Sequence, residues 1–322
     1  MEKYYTVVLD TLGSDKGPEM AAKGAALALE KYPELKIVLS GDELFLREKM
    51  KENGADESRI SYIHAPDAIT NYDNPATAIF SKRESSLVKG LEAVAQNDDY
   101  IGFVNTGSTG ALLAGSLRYL ATPDMKRPAL CAVLPAENGG FTALVDTGAT
   151  VDCNAQQLLH FAYLGQDFIK TLYGIEEPRV GILSNGKEEG KGNKVVKEAY
   201  QLIKESGDFN FVGNIEANYA LCGECDVLVC DGFAGNQVLK ATEGIAKRII
   251  KDIVKYSKKT GDESLMNVVG YLMKLYDFNS LGGGVVLGVR KPVIKAHGAA
   301  NETTIVSSLG MVLNLAKNKQ VY

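Results

Sequence analysis

Short apolar, β-branched runs alternate with amphipathic stretches along nearly the whole chain. "YYTVVLD" predicts a first strand and "EMAAKGAALALEKY" a first helix. "LKIVLSG", "RISYIHA", "YIGFVN", "RVGILS", "FNFVG" and "CDVLVCDG" follow as strands, most with a helical segment between them. This rhythm belongs to a mostly parallel sheet covered by helices on both faces. Two segments break it. Across residues 128–146, "PALCAVLP" and "FTALVD" flank "AENGG", which predicts an antiparallel β-hairpin arm of the kind that serves dimerisation. Across residues 243–279, two helical segments follow one another around "KKTGDES" with no strand between them. No internal repeat, low-complexity tract or linker interrupts the pattern, so the expectation is a single α/β domain over residues 1–322 carrying these two insertions.

The second insertion has a marked charge pattern. Between Ile245 and Thr260 stand six basic residues, Lys247, Arg248, Lys251, Lys255, Lys258 and Lys259, against one acid, Asp252. Ile245, Ile249 and Ile253 recur one helical turn apart beside Ala246, Ile250 and Val254, giving one apolar and one cationic face. The next segment, "LMNVVGYLMKLYDF", is apolar nearly all round.

Composition narrows the function classes. A net charge of -5 and a pI near 5.4 argue against a general nucleic-acid binder. No run reaches the roughly 18 apolar residues of a membrane span, and Asp10 comes too early for a signal-peptide core, so a cytoplasmic protein is expected. The 33 glycines point to many tight loops. Five cysteines in so long a chain fit reduced thiols. Cys222 and Cys225 form a CxxC, but no second pair accompanies them and they precede a strand instead of opening a helix, so they read as loop and strand-end thiols.

In doubly wound sheets, ligands bind where strands hand over to helices at their carboxyl ends. "LDTLGSDKGPE" brings Asp10, Gly13, Ser14, Asp15 and Lys16 to that edge, and "NTGSTG" brings Asn105, Thr106, Gly107, Ser108, Thr109 and Gly110. "VDTGATVDCN" adds Asp146, Thr147, Gly148 and Asp152, and "SNGKEEGKGN" adds Asn185, Lys187, Glu188, Lys191 and Asn193. "CDGFAGN" supplies Asp231 and Asn236, and "KPVIKAHGAANE" supplies Lys295, His297 and Asn301. Each loop alone is more often a turn than a site. Six on one predicted edge form a binding rim. Neither a Walker A loop nor GxGxxG, GxSxG or HExxH occurs, so no ATP, Rossmann-bound dinucleotide or metal is expected. Of the three histidines, His160 falls on an apolar helix and His64 at a strand end, while His297 lies in a glycine-containing loop near Lys295. Lysines and loop N–H groups without an evident covalent nucleophile suit an oxyanion. Such a site fits transfer of an activated acyl group to phosphate, with a thioester as donor because thiolate leaves easily.

"VVLDTLGSDKGP", "NTGSTGALLAG", "VDTGATVDC", "GILSNGKEEGKGN", "FVGNIEANYAL", "VCDGFAGNQVLKATEG" and "RKPVIKAHGAAN" together resemble, in order and spacing, the phosphate acyltransferase family of bacterial phospholipid synthesis. The resemblance implies a three-layer α/β/α sandwich related to isocitrate and isopropylmalate dehydrogenases, acting as a homodimer without cofactor. It implies that acyl carrier protein gives its acyl group to inorganic phosphate, and it associates the helical excursion with the membrane surface. The same basic rim could instead flank a dimer-packing helix pair or meet the acidic carrier protein. The resemblance and the loops together assign His297, Lys295, Asp231 and Asp10 to catalysis. Asp15, Lys16, Asn105 to Gly110, Asn185, Lys187, Lys191, Asn193 and Asn236 are assigned to phosphate or substrate. The chain departs from the family's D-x-M-G-G-D-H-A-P loop at Leu12, Ser14 and Lys16. Alternatives are a short-chain acyl-coenzyme A phosphate acyltransferase and a catalytically silent binding protein.

Overall fold

The computed structural model describes residues 3–14, 16–122, 127–137, 139–276, 283–296 and 300–318. The chain begins β1 (Tyr5–Asp10), α1 (Gly17–Lys31), β2 (Leu35–Gly41), α2 (Glu43–Glu52), β3 (Ile60–His64), α3 (Pro75–Ser81), α4 (Ser86–Gln96), β4 (Tyr100–Asn105) and α5 (Thr109–Tyr119). It continues through β5 (Ala129–Pro135), β6 (Phe141–Val145), α6 (Ala155–Tyr173), β7 (Arg179–Ser184), α7 (Lys194–Ser206), β8 (Asn210–Glu216), β9 (Val227–Val229), α8 (Gly232–Thr260) and α9 (Leu265–Leu275). It ends with β10 (Gly284–Leu287), β11 (Val293–Lys295) and α10 (Glu302–Asn318). These elements gather into two compact units, one of Met1–Leu130, Lys170–Gly174 and Asn279–Tyr322, the other of Cys131–Ile169 and Ile175–Phe278.

In the first unit the strands run β3-β2-β1-β4-β11-β10, all parallel except the β10–β11 pair. Val7, Val8, Leu9, Ile37, Leu39, Phe103 and Val104 are buried, which explains why these strands read as unbroken apolar runs: helices cover both faces. Register then does the positioning. Asp10 pairs with Asn105, and Asn105 with Lys295, so the last residues of β1, β4 and β11 stand side by side at the carboxyl edge. The sequence reading did not include β10, a short "GVVL" whose antiparallel direction is set by its pairing with β11.

The second unit orders its strands β5-β6-β9-β7-β8. The hairpin expected within residues 128–146 forms, with Cys131 opposite Val145 and Pro135 opposite Phe141. It is built into the sheet and does not project as an arm, because β6 also pairs in parallel with β9. The fully buried run Ala143, Leu144 and Val145 leaves β6 no solvent face, and an interior place satisfies it.

The helical excursion also starts earlier than expected. A single helix, α8, runs unbroken from Gly232 to Thr260, with position 243 inside it. No proline interrupts it, and a glycine such as Gly244 costs only about 1 kcal/mol against alanine. The helix stops at Gly261, whose φ of 72° suits a left-handed C-terminal residue and whose N–H reaches the Ser257 carbonyl at 2.9 Å. Lys247, Arg248, Lys251, Lys255, Lys258 and Lys259 are all exposed on α8, and α9 packs back against it. Among the described residues, no helix is long and apolar enough to cross a membrane.

Candidate functional site

The first cluster sits where β1, β4 and β11 end. Asp10 is 1% exposed, and its carboxylate accepts hydrogen bonds from Ser86 Oγ at 2.5 Å, Asn105 Nδ2 at 2.7 Å and the Leu12 N–H at 3.2 Å. Burial pushes its carboxyl up to about 6, and those three bonds with the nearby Lys295 charge pull the other way without cancelling it. Lys295 is itself buried, and its ammonium donates to the Ala296 carbonyl. Thr106 Oγ1 donates to the Asp10 carbonyl at 3.0 Å, tying the second loop to the first. Asn105 is wholly buried, and its Oδ1 has no hydrogen-bond partner among the described residues.

The glycines of these loops are there for contact. A Cβ on Gly13, whose φ is +83°, would lie 3.1 Å from Gly107 Cα, and a Cβ on Gly107 would lie 3.1 Å from the Leu12 carbonyl oxygen. The two backbones therefore touch. Ser108 then caps α5, accepting from the Ala111 N–H at 3.5 Å, so Thr109 and Gly110 supply first-turn N–H groups at its positive end. Together the cluster offers a carboxyl that burial raises to about 6, a buried ammonium and a helix N-terminus. That combination binds an anion and can exchange a proton with it. Ser86, which shares Asp10 with Asn105, was not among the expected residues; its one sequence signal is the Ser85–Ser86 pair opening a helix. Lys16 is exposed at the start of α1. Asp15 and His297 lie outside the described residues.

The second cluster belongs to the other unit. Asp146 is fully buried, and its carboxylate accepts from the N–H groups of Gly148, Ala149 and Thr150 at 3.2, 3.1 and 2.6 Å. This loop lies against the start of α8: a Cβ on Gly235 would stand 1.9 Å from the Asp146 carbonyl oxygen, and one on Gly232 would stand 2.7 Å from its Oδ2. The spacing of "DGFAG" thus follows from packing. Asp231 caps α8 by accepting from the Ala234 N–H at 2.7 Å, and Asn236 is half-buried in the next turn.

The β7–α7 loop folds on its own side chains. Asn185 Oδ1 accepts from the Gly192 N–H at 2.8 Å, and Asn193 caps α7 through the Val196 N–H at 2.9 Å. Lys187 directs its ammonium to Glu224 at 2.9 Å and lies 3.7 Å from the centre of the Tyr219 ring, while Lys191 is exposed. A cavity of about 610 Å³ opens between this loop and the first turns of α8, lined by Ser184, Asn185, Asn193, Asp231 and Phe233 among others. The Ser184 hydroxyl is buried there with no hydrogen-bond partner among the described residues. Of the CxxC thiols, Cys222 is exposed, and Cys225 is buried in the core with its thiol pushed up to about 12 by that burial.

A family model described as "Fatty acid synthesis protein" matches residues 5–321. The chain is 40% identical over 311 residues to a phosphate acyltransferase from Halothermothrix orenii, covering 94% of this chain and 92% of that protein. Among solved structures, a phosphotransacetylase from Streptococcus pyogenes aligns with TM-score 0.63 and 16% identity over 99% of this chain and 95% of that one. A 4-hydroxythreonine-4-phosphate dehydrogenase from Klebsiella pneumoniae aligns with TM-score 0.56 and 13% identity over 96% and 99%. At these identities the likeness is one of fold, and it bears out the expected dehydrogenase-like α/β class with a mostly parallel sheet.

Proposed function

The chain belongs to the fatty acid synthesis protein family and is a phosphate acyltransferase; we propose that its donor is a fatty acyl thioester of acyl carrier protein and its product a fatty acyl phosphate. A phosphate oxygen attacks the thioester carbonyl carbon, the tetrahedral oxyanion collapses, the C–S bond breaks, and the thiolate leaves and takes up a proton. The observation that carries this reading is the in-register triplet Asp10, Asn105 and Lys295 at one buried strand edge. In this reading Lys295 and the first-turn N–H groups of α5 hold the phosphate. Asp10, raised toward neutrality, takes the proton that dihydrogen phosphate loses as it attacks.

The carrier-protein donor is supported by the exposed basic residues of α8, a surface suited to an acidic protein. Homodimer formation and contact with a membrane surface belong to the same reading, supported by the exposed Tyr271 and Met273 of α9. The test is hydroxylamine trapping of acyl phosphate with purified chain, acyl carrier thioester and phosphate. Product is expected only when both substrates are present. Thioester loss at the same rate without phosphate would make the protein a thioesterase and overturn the reading.

A further inference from the structure

Two cavities lie in series along one side of α8. The first, of about 610 Å³, opens at Asp231 and is lined along the helix by Ala234 and Val238. The second, of about 250 Å³, continues with Thr242, Ala246 and Ile249 of α8, facing Leu272 and Tyr276 of α9. Ala217, exposed in the turn after β8, lines both. Positions 234, 238, 242, 246 and 249 recur at three- and four-residue spacing and so form one stripe. From Val238, which lines the first cavity, to Ile249 in the second, the stripe extends about 17 Å at the rise of an α-helix. One fatty acyl chain fills about 15 Å, half the hydrocarbon thickness of a bilayer.

The one charged side chain lining either cavity, Asp231, stands in the first with Asn193 and the buried Ser184 hydroxyl, whereas the second is lined mainly by Leu221, Ile245, Ala246, Ile249, Ile250 and Leu272, with Asn218, Thr242 and Tyr276 as its polar members. Along the stripe, the Thr242 hydroxyl is satisfied by its own helix through the Val238 carbonyl at 2.8 Å, and the basic side chains of α8 do not line the groove. Beyond Asp231, a mostly apolar track without charged side chains suits a saturated hydrocarbon. We propose that this stripe holds the donor's acyl chain, with its carbonyl end in the first cavity beside Val238 and its methyl end between α8 and α9 near Ile249. The inference rests on the phosphate acyltransferase reading and adds the place and the length limit of the chain. Short chains occupy the first cavity, and long ones pass Ala217 into the groove.

The experiment compares kcat/KM for butyryl, octanoyl and palmitoyl thioesters of one carrier in the wild type, Ala217→Trp and Ile249→Asp. Both positions are exposed, so neither substitution falls in the buried core, and a ratio of chain lengths within each variant is insensitive to a general loss of activity. Ala217→Trp is expected to lower the palmitoyl-to-butyryl ratio by about tenfold or more, the effect of excluding a few methylenes. Ile249→Asp is expected to lower the palmitoyl-to-octanoyl ratio and leave octanoyl-to-butyryl within about twofold of wild type. Calorimetric binding of palmitate to the same three proteins tests the track without turnover. Ratios and palmitate affinity that stay at wild-type values in both variants overturn the track while leaving the reaction standing. Absence of acyl phosphate from every donor, with palmitate binding still weakened by both substitutions, overturns the reaction and leaves the track.

Discussion

Asp10→Asn removes the charge that the fold buries at the end of β1. The Asp10 carboxyl stands at about 6, chiefly because of burial, whereas an aspartate in an unfolded chain titrates near 3.9. Between these values the folded chain binds more protons than the unfolded one. Its stability contribution is therefore fully present below about pH 4, falls as pH rises through about 4 to 6, and stays low above that. A displacement of about 2 pH units at about 1.4 kcal/mol each amounts to ~3 kcal/mol. Asparagine does not titrate, so the stability of the variant relative to wild type should improve by ~3 kcal/mol between about pH 4 and pH 8. A constant offset accompanies this. The new amide brings a donor where Asn105 Nδ2 now donates, but Asn105 can turn its unpartnered Oδ1 toward that donor, holding the offset to about 1–2 kcal/mol. Denaturant midpoints across that pH range measure the trend, and infrared difference spectra of wild type against variant locate the carboxylate band. Phosphate-dependent turnover should fall by about 100-fold, since a positioned acid–base group is lost. A stability difference flat to within about 0.5 kcal/mol, or a carboxylate band with its midpoint near 4, would refute the reasoning.

Lys295→Met keeps length and burial but removes the ammonium. It should lower kcat/KM for phosphate by about 10- to 100-fold, in line with about 1.5–3 kcal/mol for a hydrogen bond to a charged group. It should also move the acidic limb of the pH profile upward, because the Lys295 charge no longer opposes burial at Asp10. An unchanged phosphate dependence would remove Lys295 from the site. Lys187→Ala should alter phosphate kinetics by no more than about twofold, because that ammonium is held at the surface by Glu224 and Tyr219 in a contact worth about 0–1 kcal/mol. Gly235→Ala should destabilise by about 1–3 kcal/mol or more, since its Cβ would meet the Asp146 carbonyl. Gly244→Ala on the same helix meets nothing within 4 Å and should stabilise by about 0.5–1 kcal/mol. Thermal unfolding of this glycine pair decides whether the packing account of "DGFAG" holds.

Local chemistry was legible in the sequence wherever the signal is local. Strand runs and the bend of the hairpin are marked by short patterns and form where those patterns say, while Ser108, Asn193 and Asp231, read from their loops as site residues, stand as helix caps. What could not be read is set by register between distant segments. Asp10 and Ser86 are 76 positions apart, and nothing local says that a serine at the start of α4 shares a carboxylate with Asn105. The same holds for β6, whose interior place depends on pairing with β9, and for Lys187, whose cationic look in a glycine loop gives no hint of Glu224. The boundary expected at 243 followed a shift in charge, but charge composition does not end a helix, and α8 runs through it.

That continuity bears on the donor. A carrier-borne acyl group has two physical characters: an acidic protein surface and an apolar chain that leaves water at a gain of about 0.8 kcal/mol per methylene. Separate elements could meet these two needs. Here α8 alone, 29 residues and so about 43 Å long, is capped by Asp231, carries an apolar stripe from Ala234 to Ile249 and exposes basic side chains beside it. A short-chain coenzyme donor would leave most of that stripe unused. Its seven exposed lysine and arginine side chains suit a broad acidic protein better than one small ligand, since steering over a surface grows with the number of charges that face it. The salt dependence of turnover separates the two: with a carrier-protein donor, kcat/KM should fall steeply as ionic strength rises, and with the same acyl group on coenzyme A it should fall less. Equal slopes would detach the cationic face of α8 from the donor.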